Sequence, residues 1–512
     1  MTPPATTAPA APAAPAAPAR DADAARLAQL GYPQELARRL RFFDNAAMGF
    51  AAISPVVGLY AVSFVGTVVA GPAWVWVLPV ALAGQCLLLA VYSELASEFP
   101  IAGGAYQWSR RLLGGAYQWS RRLLGGAYGW FGGWVAIWAY AVANTTIAYL
   151  GAPWALALAG VAPTPNRIVL TGMLFVVVCA AVGAFGLGLL RRAIAAGILA
   201  EVVASLLVGV ALLLAFRTQD VSILGQTLEA EAGSGGSLGA SLLAALAVGG
   251  WVFIGFDACV GVSEETRNAA RHVPRAIWLA LLSVAALVIL NAVATTLAHP
   301  DPAAIVAGRD VDPVQTSVVT AFGAWSQKPF TVVVLAAFLA CGTAAQSLTA
   351  RAIYSIARDD VLPASRLLRR VDRRRSPVGA IVVTTVVACL GLLLGLNSAA
   401  VGSLIAFGTA AIYVAFLLVA LAALVARVRG SWVPAGHVRM GRRTGLAVNL
   451  AAVAWLAFET VNIAWPRASL APPDAPVYQI WAAPLVLATI AILGLSYLAL
   501  ARPHRKMTAE VS

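Results

Sequence analysis

The chain has 512 residues, 60% of them hydrophobic and only 11% charged, and a mean hydropathy of +0.82. Soluble domains carry about 25% charged residues, so a soluble globular fold is excluded and a polytopic membrane protein is implied. The net charge of +13 raises a nucleic-acid partner as a possibility, which the placement of the basic residues removes.

The first 20 residues, MTPPATTAPAAPAAPAAPAR, are Pro/Ala low complexity and cannot bury a core. Residues 1–40 are therefore read as a disordered arm followed by a cytoplasmic lead-in. No charged region runs directly into an apolar core and a small-residue cleavage site, so no cleaved signal peptide is predicted. A hydrocarbon core of about 30 Å needs 18 or more apolar residues. Such runs fall near 46–70, 74–97, 127–150, 166–187, 193–216, 238–262, 276–298, 330–356, 378–396, 399–426, 444–465 and 480–500. They predict an all-α domain of twelve transmembrane helices over 41–502, with a cytoplasmic tail at 503–512.

Counting from a cytoplasmic N-terminus, the outer loops keep only Arg167, Arg217, Arg309, Lys328 and Arg467 of the 35 basic residues. Basic residues concentrate on the cytoplasmic side of membrane proteins. The positive charge thus reports topology, with both termini inside, and leaves no call for nucleic acid. All five cysteines (Cys86, Cys179, Cys259, Cys341, Cys389) lie in apolar spans without CxxC spacing, which suits packing rather than disulfides or a metal.

Residues 103–113, GGAYQWSRRLL, recur unchanged at 114–124, and GGAYGW opens a third partial copy at Gly125. The period is far too short for a solenoid unit. Each copy opens with a Gly pair that disfavours a continuous helix, so the reading is a duplication tolerated in a cytoplasmic loop. The alternative is an interfacial segment that grips headgroups through Tyr, Trp and Arg.

The first span holds Ser54, Pro55, Val56, Val57 and Gly58 near its centre. Proline removes an internal hydrogen bond and glycine tolerates irregular backbone, so the helix is expected to break there. The sixth span carries Gly255, Phe256, Asp257 and Ala258 in mid-run. An acidic residue at such depth costs roughly 3 kcal/mol or more and faces a partner, a cavity or a path. Paired interruptions in corresponding members of two halves are the best sequence pointer to a transporter's binding site.

The run from Trp251 to Pro274, with F-I-G-F-D and then S-E-E-T-R-N-A-A-R-H-V-P, resembles the sixth helix and following loop of amino acid permeases. These belong to the amino acid, polyamine and organocation transporter superfamily, and the nearest branch in pattern holds the GABA, choline and bidirectional amino acid permeases. Gly31–Leu40 (GYPQELARRL), Ser93–Trp108 (SELASEFPIAGGAYQW) and Arg351–Pro363 (RAIYSIARDDVLP) are similar to the same family. The resemblance implies a leucine-transporter-type fold of two inverted five-helix repeats, about 46–216 and 238–426, plus two extra helices at about 444–500. It also implies that the backbone at Val56, Val57 and Gly58 receives a substrate carboxylate. The carbonyls of Ile53, Ser54, Ile254 and Gly255 would then receive an ammonium group, and Trp251 or Phe256 would be the aromatic lid. The family's commoner G-x-G in the first helix is here occupied by Val56 and Val57 before Gly58, which narrows the pocket near the carboxylate.

Glu201, in the fifth span, has no lysine within any span to pair with. It is a candidate proton carrier or a carboxyl bonded to a neighbouring helix. Asp257 is a candidate gate or proton group, or else the cap of the half-helix it precedes. Glu94 and Glu98 are expected to pair with Arg110, Arg111 or the Arg267–Arg275 loop, as an inner gate or a solvated rim. Ser347 and Thr349 either line a sodium site or bond back to their own helix. Glu459 lies outside the ten-helix core and reads as structural.

No phosphate loop, nucleophile elbow or clustered histidine is present in the sequence, so neither an enzyme nor an ATP-driven pump is expected, and no cofactor or metal. The expectation is a secondary-active permease of a bacterial plasma membrane. It would move a small amino acid or amine with a coupled proton, less readily sodium, or by exchange, as a monomer or homodimer. The alternatives are a permease for an organocation such as choline or ethanolamine, and a transporter-like nutrient sensor.

Overall fold

The structure is a computed structural model that describes residues 19–114, 119–233, 236–396, 398–470 and 476–505. Within these the fold is helical, and the one β feature is an isolated bridge between Leu40 and Thr266. In chain order the helices are α1 (Ala19–Gln29), α2 (Phe42–Ile53), α3 (Pro55–Ala70), α4 (Val77–Glu98), α5 (Gly104–Gly114), α6 (Trp119–Leu158), α7 (Pro165–Ala184), α8 (Leu187–Ala215), α9 (Leu238–Gly249) and α10 (Ala258–Gly261). They continue as α11 (Ala269–Ala298), α12 (Pro302–Val306), α13 (Pro313–Phe322), α14 (Gln327–Ala357), α15 (Ser365–Leu368), α16 (Val378–Leu392), α17 (Ser398–Val428), α18 (Arg442–Ala464), α19 (Val477–Ile480) and α20 (Ala482–Ala501).

Among the described residues, eleven stretches are long and apolar enough to cross a membrane. The first of them, Phe42–Glu98, has 57 residues, or ~85 Å at ~1.5 Å per residue against a core of ~30 Å. A single pass cannot take up that length. Gly71, at φ 60°, opens a 3-10 turn over Gly71–Trp76 between α3 and α4, and a Cβ there would meet the Thr227 carbonyl oxygen at 2.2 Å. The chain reverses where only glycine fits, and division of the stretch at this point is what the sequence-predicted twelve requires.

Because nearly every span is apolar all round, inward and outward faces are sorted by side-chain size and polarity rather than by hydrophobicity. α6 packs on α5, α14 and α17, and α11 packs on α2, α4 and α8. Small residues set the close approaches. A Cβ on Gly49 would meet Cys259 Sγ at 2.5 Å, and one on Gly197 would meet Ala340 Cβ at the same distance. The outward faces of α7, α8 and α20 carry exposed leucines and valines, such as Leu170, Leu207 and Leu495, as lipid contact demands.

One segment differs from the sequence expectation. The first repeat copy is not a loop: α5 is a helix with Tyr106, Gln107, Trp108 and Ser109 buried. Its Gly pair sits at the helix start, where Gly103 takes φ 77°, so the pair initiates the helix instead of interrupting it. The third copy's pair, Gly125 and Gly126, lies inside α6 and is absorbed there. The second copy falls partly outside the described residues. The lead-in ahead of α2 is packed, with Leu27, Leu36 and Leu40 buried and Leu40 N–H donating to the Glu265 carbonyl at 2.9 Å. The low-complexity residues before Ala19 lie outside the described residues.

Candidate functional site at two helix breaks

The first break is a single residue. Ser54 takes φ 53° and ψ 112° between α2 and α3, a left-sided conformation that a non-glycine residue holds only at a cost of about 1–3 kcal/mol. Pro55 follows at the first position of α3, where its missing N–H is not needed. Ser54 also caps α3: its Oγ accepts from Val57 N–H at 3.1 Å, and its carbonyl accepts from Gly58 N–H at 2.9 Å.

The second break is longer. After α9 the chain tightens into a 3-10 turn over Gly250–Phe253, becomes extended at Ile254, and passes through Gly255 at φ 108° before α10. A Cβ on Gly255 would lie 2.8 Å from the Ala52 carbonyl oxygen and 3.1 Å from Ile53 N. One on Gly58 would lie 3.3 Å from Val252 Cγ1. The two interruptions therefore touch backbone to backbone.

A narrow cavity opens against this junction. Ile53 and Val57 line it from the first break, Trp251, Ile254, Gly255 and Asp257 from the second, Tyr140 and Ile147 from α6, Cys341 and Leu348 from α14, and Ile412 from α17. Other residues expected at the site do not line this cavity. Phe256 faces away from the cavity, stacked on Phe416 at 5.3 Å and edge-on to Tyr92 at 5.6 Å. Ser54, Val56 and Gly58 are buried beside the cavity without lining it.

Glu201 reaches the first break from α8. Its Oε1 accepts from Ser54 Oγ–H at 2.5 Å and from Val56 N–H at 2.9 Å, while Oε2 is buried without a hydrogen-bond partner among the described residues. The amides of Val56, Val57 and Gly58, the expected carboxylate receptors, are thus all engaged within the chain. Glu201 holds the place at the α3 N-terminus that an anion favours.

Asp257 occupies the position before α10 but makes no capping bond. Its Oδ2 instead accepts from the Tyr140 hydroxyl, and Oδ1 is buried with no hydrogen-bond partner among the described residues. Asp257, Tyr140 and Leu348 also line a second cavity that runs past Gly104, Tyr106 and Ile356, so this pair stands between the two spaces. Ser347 accepts from an Arg351 guanidinium N–H, and Thr349 donates back to the Ala345 carbonyl at 2.8 Å. Among the described residues, no group of three His, Cys, Asp or Glu could hold a metal ion.

On the face carrying the lead-in, the S-E-E-T-R segment meets the end of α14. Arg351 clasps Glu265 at 2.7 and 2.9 Å, and Arg358 clasps Glu264 at 3.0 and 2.8 Å. Arg110 of α5 pairs with Asp359 at 2.5 Å. Glu94, expected to pair with Arg110, Arg111 or the Arg267–Arg275 loop, binds Arg427 of α17 and Met440 N–H instead. Glu98 meets Arg26 at 3.6 Å and Ala435 N–H at 2.8 Å. These partners come from distant turns of the chain, and helix packing rather than loop proximity selects them. The Tyr140, Leu348 and Ile412 contributions had no sequence signal, since ordinary residues in apolar helices declare no facing partner.

Fold and site together define a polytopic helical membrane protein with a narrow cavity where two broken helices meet, a feature on which many secondary transporters build their sites. The family profile described as amino acid permease matches residues 40–492, and the chain belongs to that family. It is similar to amino-acid permease BAT1 of Arabidopsis thaliana, 26% identical over 92% of each chain. An uncharacterized amino-acid permease of Schizosaccharomyces pombe is 25% identical over 87% of this chain and 81% of its own. A mitochondrial cationic amino acid transporter 3 of Arabidopsis thaliana is 28% identical over 77% of this chain and 63% of its own.

Proposed function

We propose that the chain is a secondary-active permease that carries an amino acid or related amine across the plasma membrane by alternating access, by exchange or with a coupled proton. The observation that supports this reading is the junction itself. Two helix interruptions meet backbone to backbone at Gly255 and Ala52 and share one cavity under Trp251. The carbonyls of Ile53 and Ile254, where the two helices are interrupted, suit an ammonium group, and the start of α3 suits a carboxylate.

Access of a substrate carboxylate to α3 requires Glu201 to leave Val56 N–H, because the two acceptors compete for the same donor. Substrate arrival and release of Glu201 then become one event. The released carboxyl is the natural place for a coupled proton, with Asp257 as the second candidate. Tyr140 and Asp257, set between the two cavities, would part as the substrate moves on.

Uptake of labelled amino acids and amines into proteoliposomes, with and without an imposed pH gradient, tests the reading. At least one compound should accumulate or exchange; failure of every one to move overturns it. Glu201→Gln should abolish stimulation by the pH gradient while exchange persists, whereas a variant that still responds fully to the gradient removes Glu201 from coupling.

A further inference from the structure

The face that carries the lead-in also carries an open cleft lined by Arg38, Arg39, Arg41, Arg191, Arg267 and Arg375, with Asp44 as the one acidic residue in its wall. Two of the six arginines are neutralised: Arg38 by Asp23 at 3.3 Å and Arg191 by Asp44 at 3.4 Å. Among the described residues no ion pair engages Arg39, Arg41, Arg267 or Arg375. The Nε atoms of Arg38 and Arg267 are buried and have no hydrogen-bond partner among the described residues.

Topology accounts for arginines on one side of a membrane but not for their convergence. The positive-inside bias is satisfied by number within loops, whereas these six come from four separate parts of the chain and face one space. Like charges that face one space repel, by about 1 kcal/mol for a pair ~4 Å apart in water, and a bound anion offsets that repulsion. Guanidinium forks match the oxygens of phosphate in geometry as well as charge. The rest of the wall is Ala24, Gln34 and Ala37, which offers no ring to stack on a base. The charge, rather than an attached group, is what such a wall can read.

We propose that this cleft binds a phosphate-bearing anion, which ties the lead-in ahead of α2 to the start of α8, the loop after α10 and the segment before α16. The phosphate is either the headgroup of an anionic phospholipid at the membrane surface or a soluble phosphate. The site is separate from the cavity at the helix breaks and does not depend on what is carried there.

The thermal unfolding midpoint of the detergent-solubilised full chain tests the proposal, titrated with dihexanoylphosphatidylglycerol, with dihexanoylphosphatidylcholine as the neutral control, and with inorganic pyrophosphate. A saturable rise with at least one anionic probe and none with the neutral lipid is expected. The rise should be suppressed in ~0.5 M NaCl, where the Debye length falls to a few ångströms. The triple variant Arg39→Gln, Arg267→Gln, Arg375→Gln should bind the same probe at least about tenfold more weakly, since each lost charge-assisted bond is worth that order. If the triple variant does not fold, Arg375→Glu alone supplies the comparison, with weaker binding expected. A response to phosphatidylglycerol alone identifies the headgroup as the source, and one to pyrophosphate alone identifies a soluble anion. No saturable rise with either anionic probe, an equal rise with phosphatidylcholine, or undiminished binding in the variants overturns the proposal.

Discussion

Gly255 is held by two independent constraints, a φ of 108° and a carbonyl oxygen 2.8 Å from where a Cβ would stand. Either disfavours a side chain, and together they make the close approach of the breaks depend on a missing methyl group. Gly255→Ala should therefore cut uptake at least about tenfold, with strain of about 1–3 kcal/mol. Gly160→Ala is the comparison: it has φ 69° with nothing within 4 Å of a Cβ, so it should cost about 1 kcal/mol of stability and leave uptake intact. Equal loss in both would show that backbone strain alone, not the junction, matters. A second residue-scale effect lies outside the spans. Asp312 precedes α13 and accepts from Gln315 N–H at 3.1 Å, and burial, with Asp310 adding to it, pushes its carboxyl up to about 6. A folded pKa above the ordinary 3.8 means the folded state favours the protonated form. Its contribution is therefore present below about pH 4 and lost as pH rises through 6. Asp312→Asn keeps a capping side chain and should raise stability at pH 7 by about 1–2 kcal/mol relative to pH 4. A difference between the two proteins that is flat from pH 4 to 8 in thermal melts would contradict this.

At the scale of elements, the two broken helices were legible because their cause is local. Pro55 and Gly58 in one apolar run, and Gly255 beside Asp257 in another, are exceptions within monotonous sequence, and exceptions carry information. The walls supplied by α6, α14 and α17 were not legible, because the face an apolar helix turns inward is chosen by packing against neighbours. α5 shows the reverse error: a Gly pair read as a helix breaker is a helix start, and the amphipathic segment after it is helical. Trp251, one of the two residues that the resemblance offers as a lid, has a position that can be tested. It is 6% exposed and lines the cavity, whereas Trp465 at the end of α18 is 62% exposed. Trp251→Ala should weaken substrate binding more than about tenfold, from lost contact area, and Trp465→Ala less than about twofold. Direct ligand-binding titrations measure both, and equal effects would move the pocket elsewhere. The repeat gives another test at this scale. Deleting either copy yields the same chain, in which the remaining copy can form α5 while α6 starts at the third partial copy. Uptake within about twofold of the full chain is expected from the deletion variant, and loss of uptake would assign the extra copy a role of its own.

For the whole molecule, the ion pairs on the lead-in face join parts of the chain far apart in sequence: Glu264 with Arg358, Glu265 with Arg351, and Glu94 with Arg427. Their carboxylates are buried, so any motion that opens this face has to separate charges that water does not already solvate. Breaking a buried pair by removing one partner costs about 3–5 kcal/mol, whereas removing both can be nearly neutral. Arg358 is the sharpest case, because its guanidinium also lies 3.7 Å over the Tyr32 ring, which fixes the lead-in to the end of α14. Arg358→Met should destabilise the chain by about 3–5 kcal/mol by stranding Glu264, and Arg358→Met with Glu264→Gln should recover at least half of that loss. The double variant, folded but without the clasp, should also label faster with a membrane-impermeant thiol reagent at a cysteine placed on the cavity past Tyr106, since this face would open more often. Two single variants that are each neutral, or a double variant whose loss is the sum of its parts, would mean that the pair neither stabilises nor closes the face.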